Sequence, residues 1–156
     1  MYSNELVCNI LEYINENINA HISINDISNK TYFNRYYIMK RFKKELGISI
    51  NDYINIKRIY NSTKEIRNLD DSFLNIALNN GFNSLEYFSE TFKKIMGISP
   101  RDYKKSTYFI IKLEDNKLIL LRQRLVEIST LLDKVNTYLS KRKPNKPMVK
   151  KLSIFK

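Results

Sequence analysis

The sequence predicts an all-α fold: two helix-turn-helix subdomains joined by a long linker helix, plus a C-terminal heptad-patterned helix. Three observations carry this expectation. The 156-residue chain has only three glycines and three prolines, too few for the turns of an all-β fold. Residues 42–53 read FKKELGISINDY and residues 92–103 read FKKIMGISPRDY, agreeing at eight of twelve positions at an offset of 50. Apolar residues recur at helical spacing ahead of each copy and again near the C-terminus.

The chain opens with a helix over residues 2–18, where Leu6, Ile10, Ile14 and Ile18 form one stripe at every fourth position. It is expected to pack on the first unit. Cys8 on this helix reads as a small buried or half-buried residue. It is the only cysteine, which excludes an intramolecular disulfide, and with a single histidine a structural zinc site is not expected. His21 reads as a surface residue.

The first unit spans about 22–48. Ser23-Ile24-Asn25-Asp26-Ile27 is a capped helix start. A longer helix follows, in which Ile38, Phe42 and Leu46 form an i, i+4, i+8 row that reads as core. Tyr37 is expected to pack inward. Tyr36 is open between packing and exposure, and Met39 between the core edge and an outward contact. Arg35, Lys40, Lys43 and Lys44 lie on the other face. Gly47 suits the left-handed residue that ends a helix, Ser49 suits the next N-cap, and Asp52 three residues later completes a capping box.

A linker helix is expected over about 50–67, roughly 27 Å long at ~1.5 Å per residue. Major-groove faces on one side of B-DNA recur at ~34–36 Å. One such helix could hold two recognition helices near that spacing.

The second unit spans about 72–98. Ser72-Phe73-Leu74-Asn75-Ile76-Ala77 is its capped short helix, and Gly81-Phe82-Asn83-Ser84 its turn and next cap. Phe88, Phe92 and Met96 repeat the core row, flanked by Leu85 and Ile95. Gly97, Ser99 and Asp102 repeat the stop, cap and box, with Pro100 at the first helical position, where its missing N–H costs nothing. A short helix, a turn and a longer helix with a polar outer face form the helix-turn-helix arrangement.

On these residues the segment 22–104 resembles the DNA-binding domain of AraC/XylS-type transcriptional regulators. The resemblance rests on Ile76-Ala77, Gly81-Phe82, Tyr87-Phe88-Ser89, Phe92-Lys93-Lys94, Gly97-Ile98-Ser99-Pro100 and Tyr103-Lys104. In the first unit Phe42-Lys43-Lys44-Glu45, Gly47, Asp52-Tyr53 and Arg58-Ile59 also fit. It implies a DNA-binding domain over 1–106 that inserts two recognition helices into successive major grooves of double-stranded DNA. The implied DNA-binding residues are Asn34, Arg35, Tyr36, Met39, Lys40 and Lys43 in the first unit. In the second they are Ser84, Leu85, Glu86, Ser89, Glu90 and Lys93. The lysines at 43, 44, 93 and 94 read as phosphate or surface charges.

Two positions depart from the family pattern. Glu90 stands where arginine is usual, and Glu86 lies one turn earlier on the same face. A carboxylate can accept from cytosine N4 but repels phosphates. Lys40 stands where arginine is common and cannot form the same planar fork to guanine. The first unit is therefore expected to dominate affinity. The resemblance further implies activation of transcription through RNA polymerase, in the cytoplasm.

The net charge of +11 does not carry this reading by itself. Residues 1–107 hold 15 Lys+Arg against 12 Asp+Glu, whereas residues 108–156 hold 12 against 4. Most of the excess is a basic C-terminal end, which composition alone reads as solvated.

Within a helical extension over 107–143, Leu118, Leu121, Leu125, Ile128, Leu132, Val135 and Leu139 alternate spacings of three and four. This seam suits either a homodimer through 118–139 or a helix folded onto its own domain or connecting to something else. A basic tail over 144–156 reads as the start of a further domain, where the resemblance suggests a GyrI-like effector domain. The DNA-binding unit starts almost at residue 1, so regulation is expected C-terminal to it. No small-molecule effector is indicated.

The chain offers no phosphate-cradling glycine loop, metal cluster or Ser/His/Asp or Cys/His set, so no enzyme, catalytic residue, cofactor or metal is expected. No membrane span is expected either, because charges interrupt the apolar run at 108–121. The alternative function is a helical adaptor, or an antagonist of a longer regulator, acting through 118–139.

Overall fold

The computed structural model describes residues 2–68, 70–108 and 115–141. Every regular element among them is an α-helix: α1 Tyr2–Glu16, α2 Ile24–Thr31, α3 Arg35–Leu46, α4 Ile50–Asn68, α5 Phe73–Asn79, α6 Leu85–Met96, α7 Pro100–Tyr108 and α8 Asp115–Ser140. The expected tail at 144–156, with its suggested effector domain, lies outside the described residues.

Local sequence sets the helix ends as the capping patterns predict. Ser23 and Asp26 make a complete capping box at the start of α2. The Ser49 hydroxyl donates to Asp52 Oδ2 at 2.6 Å and accepts from the Asp52 N–H at 3.1 Å. Ser99 and Asp102 repeat this at 2.8 and 3.1 Å. Gly47 and Gly97 end α3 and α6 at φ +82° and +81°, in the left-handed region that glycine enters without steric penalty. The leading helix stops at Glu16, earlier than expected, and a turn closed by Ala20 N–H to Asn17 O carries Ile18 back onto the core.

Two apolar cores result. The first gathers Leu6, Ile10, Ile14, Ile27, Ile38, Phe42 and Leu46. The second gathers Ile76, Ala77, Phe82, Phe88, Phe92, Met96 and Tyr103. The linker helix belongs to both: Ile50, Tyr53 and Ile54 sit in the first core, Ile59 and Ile66 in the second.

The C-terminal helix α8 spans the same two cores. Leu121 and Ile128 are buried in the second, Val135 in the first, and Leu132 packs against both. Lys134 Nζ donates to the Leu46 carbonyl at the end of α3 (3.3 Å). Of the two expectations for 118–139, the packing matches the helix folded onto its own domain. The seam covers the chain's own cores, because α8 is long enough to cross from the C-terminal end of α6 to that of α3.

Arg58 makes a further tie between the subdomains. It sits on α4 at 9% exposure. Its Nε donates to Ile18 O at 2.8 Å and its Nη2 to Ala20 O at 2.6 Å. Its guanidinium also lies over the Phe82 ring, 5.9 Å from the centroid. One side chain thus joins the turn after α1 to the turn before α6.

Candidate nucleic-acid interface

The repeat places α3 and α6 in one frame, with position n of the first helix matching n + 50 of the second. Both are twelve residues long and end at a left-handed glycine. At about 100° per residue, Ile38, Phe42 and Leu46 point one way, and Phe88, Phe92 and Met96 point the same way in the copy. All six are buried. The opposite face is then Tyr36, Lys40, Lys43 and Lys44 on α3, and Glu86, Glu90, Lys93 and Lys94 on α6. All eight are exposed.

These faces differ in charge. The α3 face carries three cations and the α6 face two cations and two carboxylates. Residues 27–44 hold six Lys and Arg without one Asp or Glu, whereas residues 77–94 hold two of each sign. A helix face presenting cations without anions suits a polyanion, because each phosphate neutralised releases condensed counterions. On α3 the Lys40 ammonium lies 5.8 Å from the Tyr36 ring centroid, which orders both side chains on the outer face.

The remaining site residues divide. Asn34 and Ser84 are the N-caps, their side-chain oxygens accepting from the N–H of Tyr37 and Tyr87 at 2.9 and 3.1 Å. Arg35, expected on the outer face, is exposed but lies seven residues before Phe42 and so on the core side of the helix, where its Nη1 donates to Asn25 Oδ1 of α2 at 3.2 Å. Met39 is 47% exposed, which places it outside the core. Ser89, its counterpart, is half-buried. Leu85, the counterpart of Arg35, packs against the second core.

Tyr37 was expected inward and is not. It stands about 100° round the helix from Ile38, is 40% exposed, and its ring stacks on Phe33 at 5.4 Å. Tyr36 is further out, at 71%. Three aromatics at the site are not among the DNA-binding residues that the resemblance implies. Tyr32 and Phe33 form the turn before α3, at 94% and 43% exposure. Tyr87, on α6, accepts through its hydroxyl from Asn55 Nδ2 at 3.1 Å. Tyr87 and Glu90 also edge a groove of about 670 Å³ between α4, α6 and α8, floored by Ile56, Ile95 and Ile128.

A family described as "Helix-turn-helix domain" matches residues 27–106. The chain is 33% identical over 109 residues to the putative HTH-type transcriptional regulator YkgA of Escherichia coli, covering 70% of this chain and 46% of that protein. It is 29% identical over 105 residues to the HTH-type transcriptional activator AarP of Providencia stuartii, covering 67% of this chain and 78% of AarP. The chain thus spans under half the length of YkgA and most of AarP. Its fold matches a transcriptional regulator with an AraC-type DNA-binding domain from Chromobacterium violaceum. There the TM-score is 0.62 at 23% identity, over 70% of this chain and 97% of that one.

Proposed function

Since the chain belongs to the AraC/XylS-type helix-turn-helix family, we propose that it binds double-stranded DNA sequence-specifically and regulates transcription, with α3 and α6 entering successive major grooves. Tyr36, Met39 and Lys40 read bases from α3. Lys43 and Lys44 contact phosphates, Arg35 binds at the edge of the site, and Asn34 contributes as the cap that sets the helix's entry. Glu86, Ser89 and Glu90 face the second half-site, Lys93 supplies a phosphate contact, Ser84 acts as the cap, and Leu85 supports the helix from below. The observation that carries the reading is the charge contrast within one repeated frame. The outer face of α3 holds cations alone, while that of α6 is balanced. The first unit therefore supplies most of the affinity, and the second adds register.

AarP is named a transcriptional activator. Activation through contact with RNA polymerase is the corresponding proposal here. The domain responsible is 1–106, and α8 in the extension 107–143 braces it. With the α8 seam spent on the chain's own cores, an adaptor role through 118–139 finds no support. Among the described residues no helix is long and apolar enough to cross a membrane.

The test is selection from a random 25-bp duplex library, followed by titration of the enriched sequence against a scrambled one. The reading expects an enriched two-part site. Lys40→Ala should weaken binding by ~1–3 kcal/mol and relax base preference in one part only. Failure to enrich any sequence would defeat the proposal.

A further inference from the structure

Each helix-turn-helix turn contains one residue in the left-handed region. In the second unit it is Gly81, at φ +79°. In the first it is Tyr32, at φ +61°, the only non-glycine with positive φ among the described residues. An L-residue with a Cβ is disfavoured there and glycine is not. The two left-handed residues are not at matching positions, since 32 pairs with 82 in the offset of 50, but each sits in the turn between the two helices of its unit, glycine in one and tyrosine in the other.

The turn is fixed without help from the tyrosine ring. The Tyr32 N–H donates to Ser28 O at 2.9 Å, capping α2. The Ser28 hydroxyl donates to Phe33 O at 2.6 Å. The Tyr32 side chain is 94% exposed, so packing does not account for it. A large aromatic held in an unfavourable backbone conformation and spread into solvent is the pattern of a contact residue. Its neighbours indicate the partner. Tyr32 sits inside the stretch 27–44, which has six cations and no carboxylate, two residues before the N-cap of α3. That setting fits a polyanion rather than an acidic-and-apolar protein surface. Tyrosine hydroxyls are among the groups that bind phosphate oxygens beside a recognition helix.

We propose that Tyr32 contacts the DNA sugar–phosphate backbone beside the major groove entered by α3, its hydroxyl donating to a phosphate oxygen. The inference rests on α3 being a recognition helix. The contact is sequence-independent: it anchors the first unit and fixes the angle at which α3 enters.

The test uses the full chain and a duplex enriched from a random 25-bp library. Wild type, Tyr32→Gly, Tyr32→Phe and Lys40→Ala are compared by thermal unfolding and by titration at several salt concentrations. Tyr32→Gly is expected to unfold at the same temperature or higher, since glycine suits the turn, yet to bind about tenfold more weakly. The loss should be equal on enriched and scrambled duplexes, with an unchanged salt slope because no cation is removed. Tyr32→Phe, which lacks only the hydroxyl, should show most of that loss. Lys40→Ala should instead relax sequence preference. If Tyr32→Gly or Tyr32→Phe binds like wild type while Lys40→Ala weakens binding, the Tyr32 contact is refuted and the reading of α3 stands. Parallel losses of stability and affinity in Tyr32→Gly would assign the residue a structural role and also overturn the proposal. If Lys40→Ala too binds unchanged, α3 is not the recognition helix and the premise itself fails.

Discussion

The guanidinium carbon of Arg58 lies 2.9 Å from the point where a Cβ on Gly81 would stand. Arg58 cannot swing clear cheaply, since two backbone carbonyls across the subdomain boundary hold it. Gly81 is also at φ +79°. Any side chain at 81 therefore meets both a backbone penalty and a side chain already committed elsewhere.

Gly81→Ala should accordingly destabilise the fold by about 2–3 kcal/mol, of which ~1–2 is the left-handed backbone. Arg58→Met should cost ~2 kcal/mol by removing two hydrogen bonds to carbonyls. A double-mutant cycle in urea separates the terms. In the Arg58→Met background, Gly81→Ala should retain only its backbone cost, giving a coupling of ~1 kcal/mol. Strict additivity would mean that the two residues do not compete for the space.

The helix α8 should behave as a brace. Ile128 is 4% exposed and Val135 2%, one in each core. Ile128→Ala should cost ~2–4 kcal/mol by leaving a cavity. Ile128→Asp, which buries a charge, should undock the helix. The readout is limited proteolysis, with new cleavage expected within 115–140. Unchanged proteolysis of Ile128→Asp would show that the seam does not hold α8 in place.

Much of this architecture was legible in the sequence because local chemistry and long-range packing agree in it. Gly47 and Gly97, and the boxes Ser49–Asp52 and Ser99–Asp102, fix helix ends by interactions three to five residues apart. The rows 38/42/46 and 88/92/96 fix which face is buried. What was not legible depends on contacts between distant parts of the chain. A heptad seam looks the same whether it faces a partner or its own domain, so Leu121, Ile128 and Val135 could not say which. Tyr37 misled because aromatic residues are more often buried. The one signal for Tyr32 was the glycine in the other unit's turn, and it was weakened by that turn, 80–84, being two residues longer than 32–34.

Alkaline stability should depend on Tyr53. Burial pushes its phenol up to about 12 from the ordinary tyrosine value of about 10, and the hydroxyl is buried with no hydrogen-bond partner. The raised folded-state value favours the neutral phenol in the native protein. Its contribution is complete below pH 10 and is lost as pH rises from about 10 towards 12, on the order of 2 kcal/mol for this shift. Tyr53→Phe should therefore be close to neutral at pH 7 and flatten the fall in melting temperature above pH 10. A wild-type alkaline slope in Tyr53→Phe would assign that loss to other groups.

The balanced charge of the second unit gives the last prediction. Glu90 on α6 matches Lys40 on α3 and is exposed on the outer face. Bound in a major groove, its carboxylate stands near phosphates on both strands and gains only where a cytosine amine is within reach. Glu90→Gln should remove the repulsion and tighten binding to scrambled duplexes. On the enriched sequence it should tighten binding less, or weaken it if Glu90 accepts from cytosine. Glu90→Lys should go further and gain one phosphate contact, steepening the slope of log K against log salt by ~0.9. The measurement is a salt series on both duplexes for wild type and the two variants. If neither affinity nor slope moves on either duplex, α6 stands clear of the DNA, and recognition belongs to the first unit alone.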